Sequence, residues 1–151
     1  MIEVQITNLD GTLIPNYETE YSSGVDLRAY VVDPDGTGGI IEILPNTTHI
    51  IQTGLQIAIP IGYEAEIRSR SGLAAKKNLF VLNSPGTIDA DYRGELLIIL
   101  HNIGTEAQQI CHGDRIAQMV FKAVEQATFV QVEVLPSTDR GEGGLGSTGI
   151  K

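Results

Sequence analysis

Polar and apolar residues alternate along Gln56–Ile59, Glu64–Arg68 and Gln131–Val134, the period of a half-buried strand. Ile40–Leu44, Leu96–Leu100 and Met119–Phe121 are short apolar runs rich in β-branched residues. Turn residues bound them: Asp10-Gly11, Asp33-Pro34-Asp35-Gly36, Pro45-Asn46, Pro60-Ile61-Gly62, Ser84-Pro85-Gly86 and Gly113-Asp114. About ten short strands at this spacing predict an all-β sandwich, jelly roll or barrel. One short helix is predicted over Ser71–Lys76. The pattern stops near Pro136. Beyond it the chain is dominated by Gly with a few hydroxyl side chains and cannot pack a core. The expected organisation is a single β-rich domain over residues 1–136 and a flexible C-terminal arm over residues 137–151.

Composition narrows the functional classes. The chain has 151 residues, 42% of them hydrophobic, enough for one ordinary core. Its single cysteine, Cys111, excludes an intrachain disulfide. No apolar run approaches the ~18 residues of a membrane span, and the first residues lack a signal-peptide pattern. A cytoplasmic chain without membrane contact is expected. The net charge of −9 argues against a nucleic-acid-coating protein, which needs a basic surface. A small anionic ligand held by a few placed cations remains compatible. Six arginines are present, and all but Arg28 adjoin Gly, Ser or Asp.

Several motifs fail on context. Gly141-Glu142-Gly143-Gly144-Leu145-Gly146 fits a dinucleotide fingerprint, but five residues leave no room for the following helix and strand. There is no P-loop and no nucleophile elbow, and His49, His101 and His112 lack metal-ligand spacing.

Five segments together describe a phosphate site. In Ser23–Ala29, Asp26 interrupts an apolar strand-like run. It is either paired with a neighbour or reserved for a cation and its waters. In Arg68–Ala74, arginine forks, hydroxyls and helix N–H groups coincide at the predicted helix start, as anion binding requires. Asn83–Glu95 is read as a hairpin. In a strand, Asp89 and Asp91 would share one face and Tyr92 would take the other. A carboxylate there suits a general base, and the tyrosine suits a platform for a base or sugar; a polar hairpin edge is the plainer alternative. In Gly113–Phe121, Gln118 is the odd polar residue of a buried strand. Arg140–Gly149 offers an arginine, two hydroxyls and many unobstructed backbone N–H groups.

In this order and spacing, the five segments resemble the motifs of the trimeric dUTPases. The likeness spans Ser23 to Gly149 and is strongest in Thr87–Gly94 and the Gly-rich end. It implies a distorted jelly-roll, or β-clip, subunit and a homotrimer with shared active sites. Each site would take its third segment from one subunit, its first, second and fourth from another, and its arm from the last. The implied activity is hydrolysis of dUTP to dUMP and pyrophosphate with Mg2+. By resemblance, Asp89 is the general base and Tyr92 packs under the deoxyribose. Asn83, Gly86, Thr87 and Ile88 belong to the uracil-reading hairpin. Arg70, Ser71, Gly72 and Gln118 contact phosphate, and Asp26 holds magnesium-bound waters. Arg140, Leu145, Gly146, Ser147 and Thr148 belong to the closing arm. Two positions depart from the family pattern: Leu145 stands where Phe is usual, and Ser69 where Pro is frequent. Weaker closure over the base is expected from Leu145. The alternatives are a dCTP deaminase-like enzyme of the same fold and a non-catalytic β-sandwich binding module.

Overall fold

A computed structural model describes residues 1–9 and 12–144. The described residues form eleven strands and one helix. In chain order these are β1 (Gln5–Asn8), β2 (Val25–Arg28), β3 (Ile40–Ile43), β4 (Thr48–Gln52), β5 (Leu55–Ala58), β6 (Tyr63–Arg68), α1 (Ser71–Lys77), β7 (Leu79–Val81), β8 (Gly86–Ile88), β9 (Leu97–Asn102), β10 (Gln108–Cys111) and β11 (Arg115–Ala123). They join in four antiparallel ladders: β1 with β5, β3 with β10, β4–β9–β7, and β2–β11–β6–β8.

Period-2 burial explains the layering. Along β9, Ile98, Leu100 and Asn102 are buried while Leu97, Ile99 and His101 face outward. The core joins all four ladders through Leu27, Ile43, Ile51, Leu55, Leu100 and Ile116, each essentially inaccessible. Asn102 is a fully buried polar residue, and its amide is spent on the carbonyls of Ile43 and Glu106 at 2.9 and 2.8 Å. The helix stops where Asn78 adopts a left-handed conformation (φ 54°) and returns its N–H to the Leu73 carbonyl. The all-β class and the single short helix agree with the sequence pattern.

Two local expectations need correction. Gln131–Val134 joins no ladder among the described residues, although it alternates as a strand should. Val132 and Val134 are 54% and 82% exposed, so its apolar side chains have no partner layer within the chain. The segment Asn83–Glu95 does not fold back on itself as a two-stranded hairpin. β8 pairs with β6, and the chain then turns at Asp89–Tyr92, where the Tyr92 N–H donates to the Asp89 carbonyl at 3.1 Å. The Arg93 guanidinium fixes that turn by donating to the carbonyls of Ala90 and Tyr92, both at 2.7 Å. Alternation therefore ends at Ile88, and Asp89 and Asp91 do not share a strand face.

Candidate active site

The four-stranded ladder builds the first half of the site. Its register sets Asp26 of β2 opposite Gln118 of β11, and Gln118 opposite Arg68 of β6. Directly paired residues share a face, so one row carries carboxylate, amide and guanidinium. Arg68 is not free for an anion: it pairs with Glu66, which Lys122 holds from the other side. The Lys122 ammonium, bonded to Oε1 of Glu66, and then Arg68 keep the Glu66 carboxyl below its ordinary range.

Arg70, just beyond β6, takes the cationic role. Its Nε and Nη2 donate to the two Asp26 oxygens at 2.9 and 3.4 Å, and its Nη1 donates to the Arg115 carbonyl at 3.1 Å. The Asp26 side chain is only 7% exposed. Of the two sequence readings of Asp26, the chain shows the pairing with neighbours. The fork of Arg70 is thus held on three of its N–H groups, with the side chain 24% exposed.

Arg115 completes this half, and sequence reasoning missed it. The β2–β11 register slips between Arg115 and Ala117, which inserts a bulge at Ile116. Ile116 and Ala117 are consequently both buried. Regular alternation would send Arg115 toward the core with Ala117. The bulge instead returns it to the Asp26 face, where Nη1 lies 3.1 Å from Oδ2 of Asp26 and 3.5 Å from Glu18. The available signal was the adjacent apolar pair Ile116-Ala117 following a charged pair. Next to this cluster, Ser71 and Gly72 open α1 and are exposed. A Cβ on Gly72 would meet no atom within 4 Å, so nothing in the chain crowds that backbone. The first N–H groups of a helix have no acceptor within it. Ser69, at the position where Pro is frequent in the resembled family, secures this turn by other means. Its Oγ accepts from the Val81 N–H at 2.9 Å, and its own N–H donates to Ser84 Oγ at 3.3 Å.

The second half is shaped by two close approaches that only glycine permits. A Cβ on Gly86 would lie 2.8 Å from the Asn83 amide nitrogen, so Asn83 packs directly on the Gly86 backbone. A Cβ on Gly94 would run into the Tyr92 ring. Tyr92 folds back over that glycine and donates its hydroxyl to the Glu95 carbonyl at 3.0 Å. The Ser84–Pro85 peptide bond is cis. Thr87 is exposed and Ile88 is half-buried against the core. Asp89 is exposed and lines a groove of about 640 Å³ together with Ile61, Tyr63, Glu64 and Arg93.

The chain brings Asp26, Arg70 and Gln118 together, with Ser71 and Gly72 adjoining in sequence. It separately gathers Asn83, Gly86, Thr87, Ile88, Asp89 and Tyr92. Among the described residues, no hydrogen bond joins the side chains of Asp89 or Tyr92 to those of Asp26, Arg70 or Arg115. Arg140 lies in an exposed turn and donates to the Gly143 carbonyl at 2.7 Å. Leu145, Gly146, Ser147 and Thr148 lie outside the described residues.

An arginine–carboxylate cradle at a sheet edge, with a glycine-shaped segment after β8 on an all-β scaffold, fits a nucleotide-handling β protein. A family model described as dUTPase matches residues 10–149, and the chain belongs to the dUTPase family. Two relatives named deoxyuridine 5'-triphosphate nucleotidohydrolase are each 45% identical to it. That of Fusobacterium nucleatum subsp. nucleatum aligns over 98% of this chain and 97% of its own length. That of Treponema pallidum subsp. pallidum aligns over 99% of both. The fold is similar to the Staphylococcus bacteriophage 80alpha dUTPase with dUPNHPP. The TM-score is 0.82 at 25% identity, covering 99% of this chain and 100% of that one.

Proposed function

We propose that this chain is a dUTP diphosphatase that hydrolyses dUTP to dUMP and pyrophosphate, limiting the dUTP available to polymerases and supplying dUMP. The observation that carries the reading is one chain holding an Asp26–Arg70–Arg115 cradle together with a segment shaped by Gly86 and Gly94 that carries Asp89. Asp89 takes a proton from water as the water oxygen bonds to the α-phosphorus, and the bond to the bridging oxygen breaks to release pyrophosphate. Arg70, the open N–H groups of Ser71 and Gly72, and Gln118 hold the phosphates. These groups act by position and charge, so no covalent intermediate is needed. Tyr92, laid over Gly94, packs under the deoxyribose and leaves no space for a 2'-hydroxyl. The backbone from Asn83 to Ile88 reads uracil, since unmatched donors and acceptors penalise cytosine strongly.

Among the described residues, no group of three or more His, Cys, Asp or Glu is placed to cage a metal. Asp26 has both oxygens on guanidinium groups. That donor set fits Mg2+ carried on the triphosphate, with its waters reaching Asp26, because Mg2+ commonly keeps water and substrate phosphates as ligands. The ion supplies charge neutralisation at the phosphates. Among the described residues, no side-chain hydrogen bond joins Asp89 or Tyr92 to Asp26, Arg70 or Arg115, which supports a homotrimer with shared sites. Residues 137–151, with Arg140, Leu145, Gly146, Ser147 and Thr148, form the arm that closes on a neighbour's site. The chain works in the cytoplasm, with no nucleic-acid or membrane partner.

The test is pyrophosphate release from a panel of nucleotides with Mg2+, on the wild type and on Asp89→Asn. dUTP should be turned over far faster than dTTP, dCTP or UTP. Asp89→Asn should lose about 10²–10⁴ in rate, the usual worth of a general base, while still binding dUPNHPP. Near-normal turnover by Asp89→Asn would refute the mechanism. Ammonia release from dCTP would place the chemistry with deamination instead.

A further inference from the structure

Glu95 is half-buried, and among the described residues no cation pairs with it. Its carboxylate instead accepts from two neutral donors of the turn between β4 and β5. Oε1 takes the Gly54 N–H at 2.7 Å and Oε2 takes the Gln52 amide at 3.1 Å. That turn is itself a fixed point. Gly54 has a φ of 68°, and a Cβ there would run into Thr12 Oγ1. The Gly54 carbonyl accepts from the Leu9 N–H at 2.9 Å, and the Gln52 carbonyl accepts from the Tyr30 N–H at 2.8 Å. Leu96, the residue after Glu95, is inaccessible and seated on the same turn. Its N–H donates to the Leu55 carbonyl at 2.8 Å, and its carbonyl accepts from Thr53 Oγ1 at 2.7 Å. The side chain of Glu95 and the peptide that follows it therefore both hold its backbone against the core. The carbonyl of that backbone accepts the Tyr92 hydroxyl at 3.0 Å.

We infer that Glu95 is a positioning residue for sugar selection, on the reading above in which Tyr92 packs under the deoxyribose. It touches no part of the nucleotide and acts through Tyr92. The tyrosine is 42% exposed and its ring lies over Gly94, so the core does not enclose it. Its place is set by its two ends. Arg93 donates to the Tyr92 carbonyl at 2.7 Å, and the Glu95 carbonyl holds the hydroxyl. A surface that rejects a substrate by steric conflict discriminates only as far as it does not yield. A tether at the tip of the ring prevents it from tilting away from a 2'-hydroxyl. The line from the Gly54 N–H through the Glu95 carboxylate and the Glu95 carbonyl to the Tyr92 hydroxyl carries the rigidity of the core to the sugar. An apolar side chain at position 95 breaks that line and leaves the inaccessible Gly54 N–H without its acceptor.

The test measures kcat/KM for dUTP and for UTP on the full chain with Mg2+, with thermal unfolding alongside. Wild type should strongly prefer dUTP. Glu95→Ala should lower the ratio of dUTP to UTP about tenfold, the worth of one hydrogen bond, with most of the change in UTP. Glu95→Gln should keep the wild-type ratio. Its amide oxygen still accepts from Gly54, and the exposed Gln52 can turn its own oxygen to the new –NH2 group. In a Tyr92→Phe background, which has no hydroxyl to hold, Glu95→Ala should change the ratio no further. Should Glu95→Ala not fold, Glu95→Asp gives the same comparison. Its carboxylate falls one methylene short of Gly54, so the ratio should drop with Tyr92 in place and stay unchanged in the Tyr92→Phe background. A lower melting temperature with an undiminished ratio, a Glu95→Gln that falls as far as Glu95→Ala, or additive losses in the double variant overturns the role of Glu95 and leaves the proposed function standing. A wild type that turns over UTP as fast as dUTP, or a Tyr92→Ala that keeps the full ratio, overturns the reading of Tyr92 as well.

Discussion

Asp26→Asn isolates the network that holds Arg70, the arginine proposed to bind phosphate. Asp26 is nearly inaccessible and accepts from Arg70 at 2.9 and 3.4 Å and from Arg115 at 3.1 Å. Asparagine keeps the size but removes the charge, and it turns an –NH2 group toward a guanidinium. Breaking a buried ion pair by removing one partner costs about 3–5 kcal/mol. Here the arginine side chains are 24% and 41% exposed and keep access to water, so the loss belongs below that range. Two charge-assisted hydrogen bonds weakened rather than abolished give about 2–3 kcal/mol. For a chain of this size each kcal/mol moves Tm by about 2–4 °C, so Asp26→Asn should melt about 4–12 °C lower. Catalysis should fall further than binding does. Neutralising Asp26 makes the cradle more positive, which favours a triphosphate, while a loosened Arg70 no longer meets it in register. A misplacement near 1 Å costs on the order of 10² in rate. The expected result is a kcat lowered about 10–100-fold with dUPNHPP affinity changed much less. Thermal unfolding at pH 7 and steady-state pyrophosphate release check the two halves. A variant melting within a degree of wild type with undiminished kcat would refute the argument that Asp26 positions Arg70.

Other perturbations test separate parts. Gly94→Ala should displace the Tyr92 ring and erode discrimination between dUTP and UTP, read as the ratio of their kcat/KM values, with little effect on dUTP phosphate contacts. Glu66, held below its ordinary pKa by Lys122 and Arg68, binds a proton less readily folded than unfolded. Its stabilisation is thus complete above the usual glutamate range and is lost as pH falls through the lower folded value. Wild type should melt above Glu66→Gln at pH 7, and the gap should close on acidification. Truncation before Arg140 should leave the assembly intact by light scattering and remove most turnover. Leu145→Phe should lower KM, by no more than the roughly 1–3 kcal/mol of base–aromatic stacking.

The strand pattern was legible wherever one face of a strand is buried within the chain, as in Tyr63–Arg68 or Leu97–Asn102. It misled where burial was missing. Gln131–Val134 alternates like a strand, yet its apolar side chains meet no layer of their own chain. The motifs made Asp26, Arg70, Gln118, Asp89 and Tyr92 legible as residues; their division into two groups came from the family resemblance and not from the pattern of polar and apolar positions. That separation follows from sheet order, in which β8 leaves by β6 while Asp89 turns away beyond it. Arg115 was hidden for a different reason. A β-bulge changes which face a residue joins, and nothing in period-2 reading reports a one-residue insertion. Arg68 shows the converse. It sits in the anion-binding segment by sequence, and it pairs with Glu66, two residues back on the same strand.

Charge balance supports the proposed reading in which this cradle works together with groups outside it. The cradle sets two arginines, Arg70 and Arg115, against two carboxylates, Asp26 and Glu18. It is therefore close to neutral, in a chain that is strongly acidic overall. Such a cradle offers geometry and few excess cations. A triphosphate of several negative charges must then be offset from outside it, and three sources are available: Mg2+ carried on the phosphates, the N–H groups at the start of α1, and Arg140 on the arm. This arrangement ties binding to the complete complex of nucleotide and ion. Titration of dUPNHPP followed by calorimetry should accordingly give markedly weaker binding without Mg2+. Arg140→Gln should weaken binding in the presence of the ion. Equal affinity with and without Mg2+ would mean that the cradle carries more net positive charge than these four side chains provide.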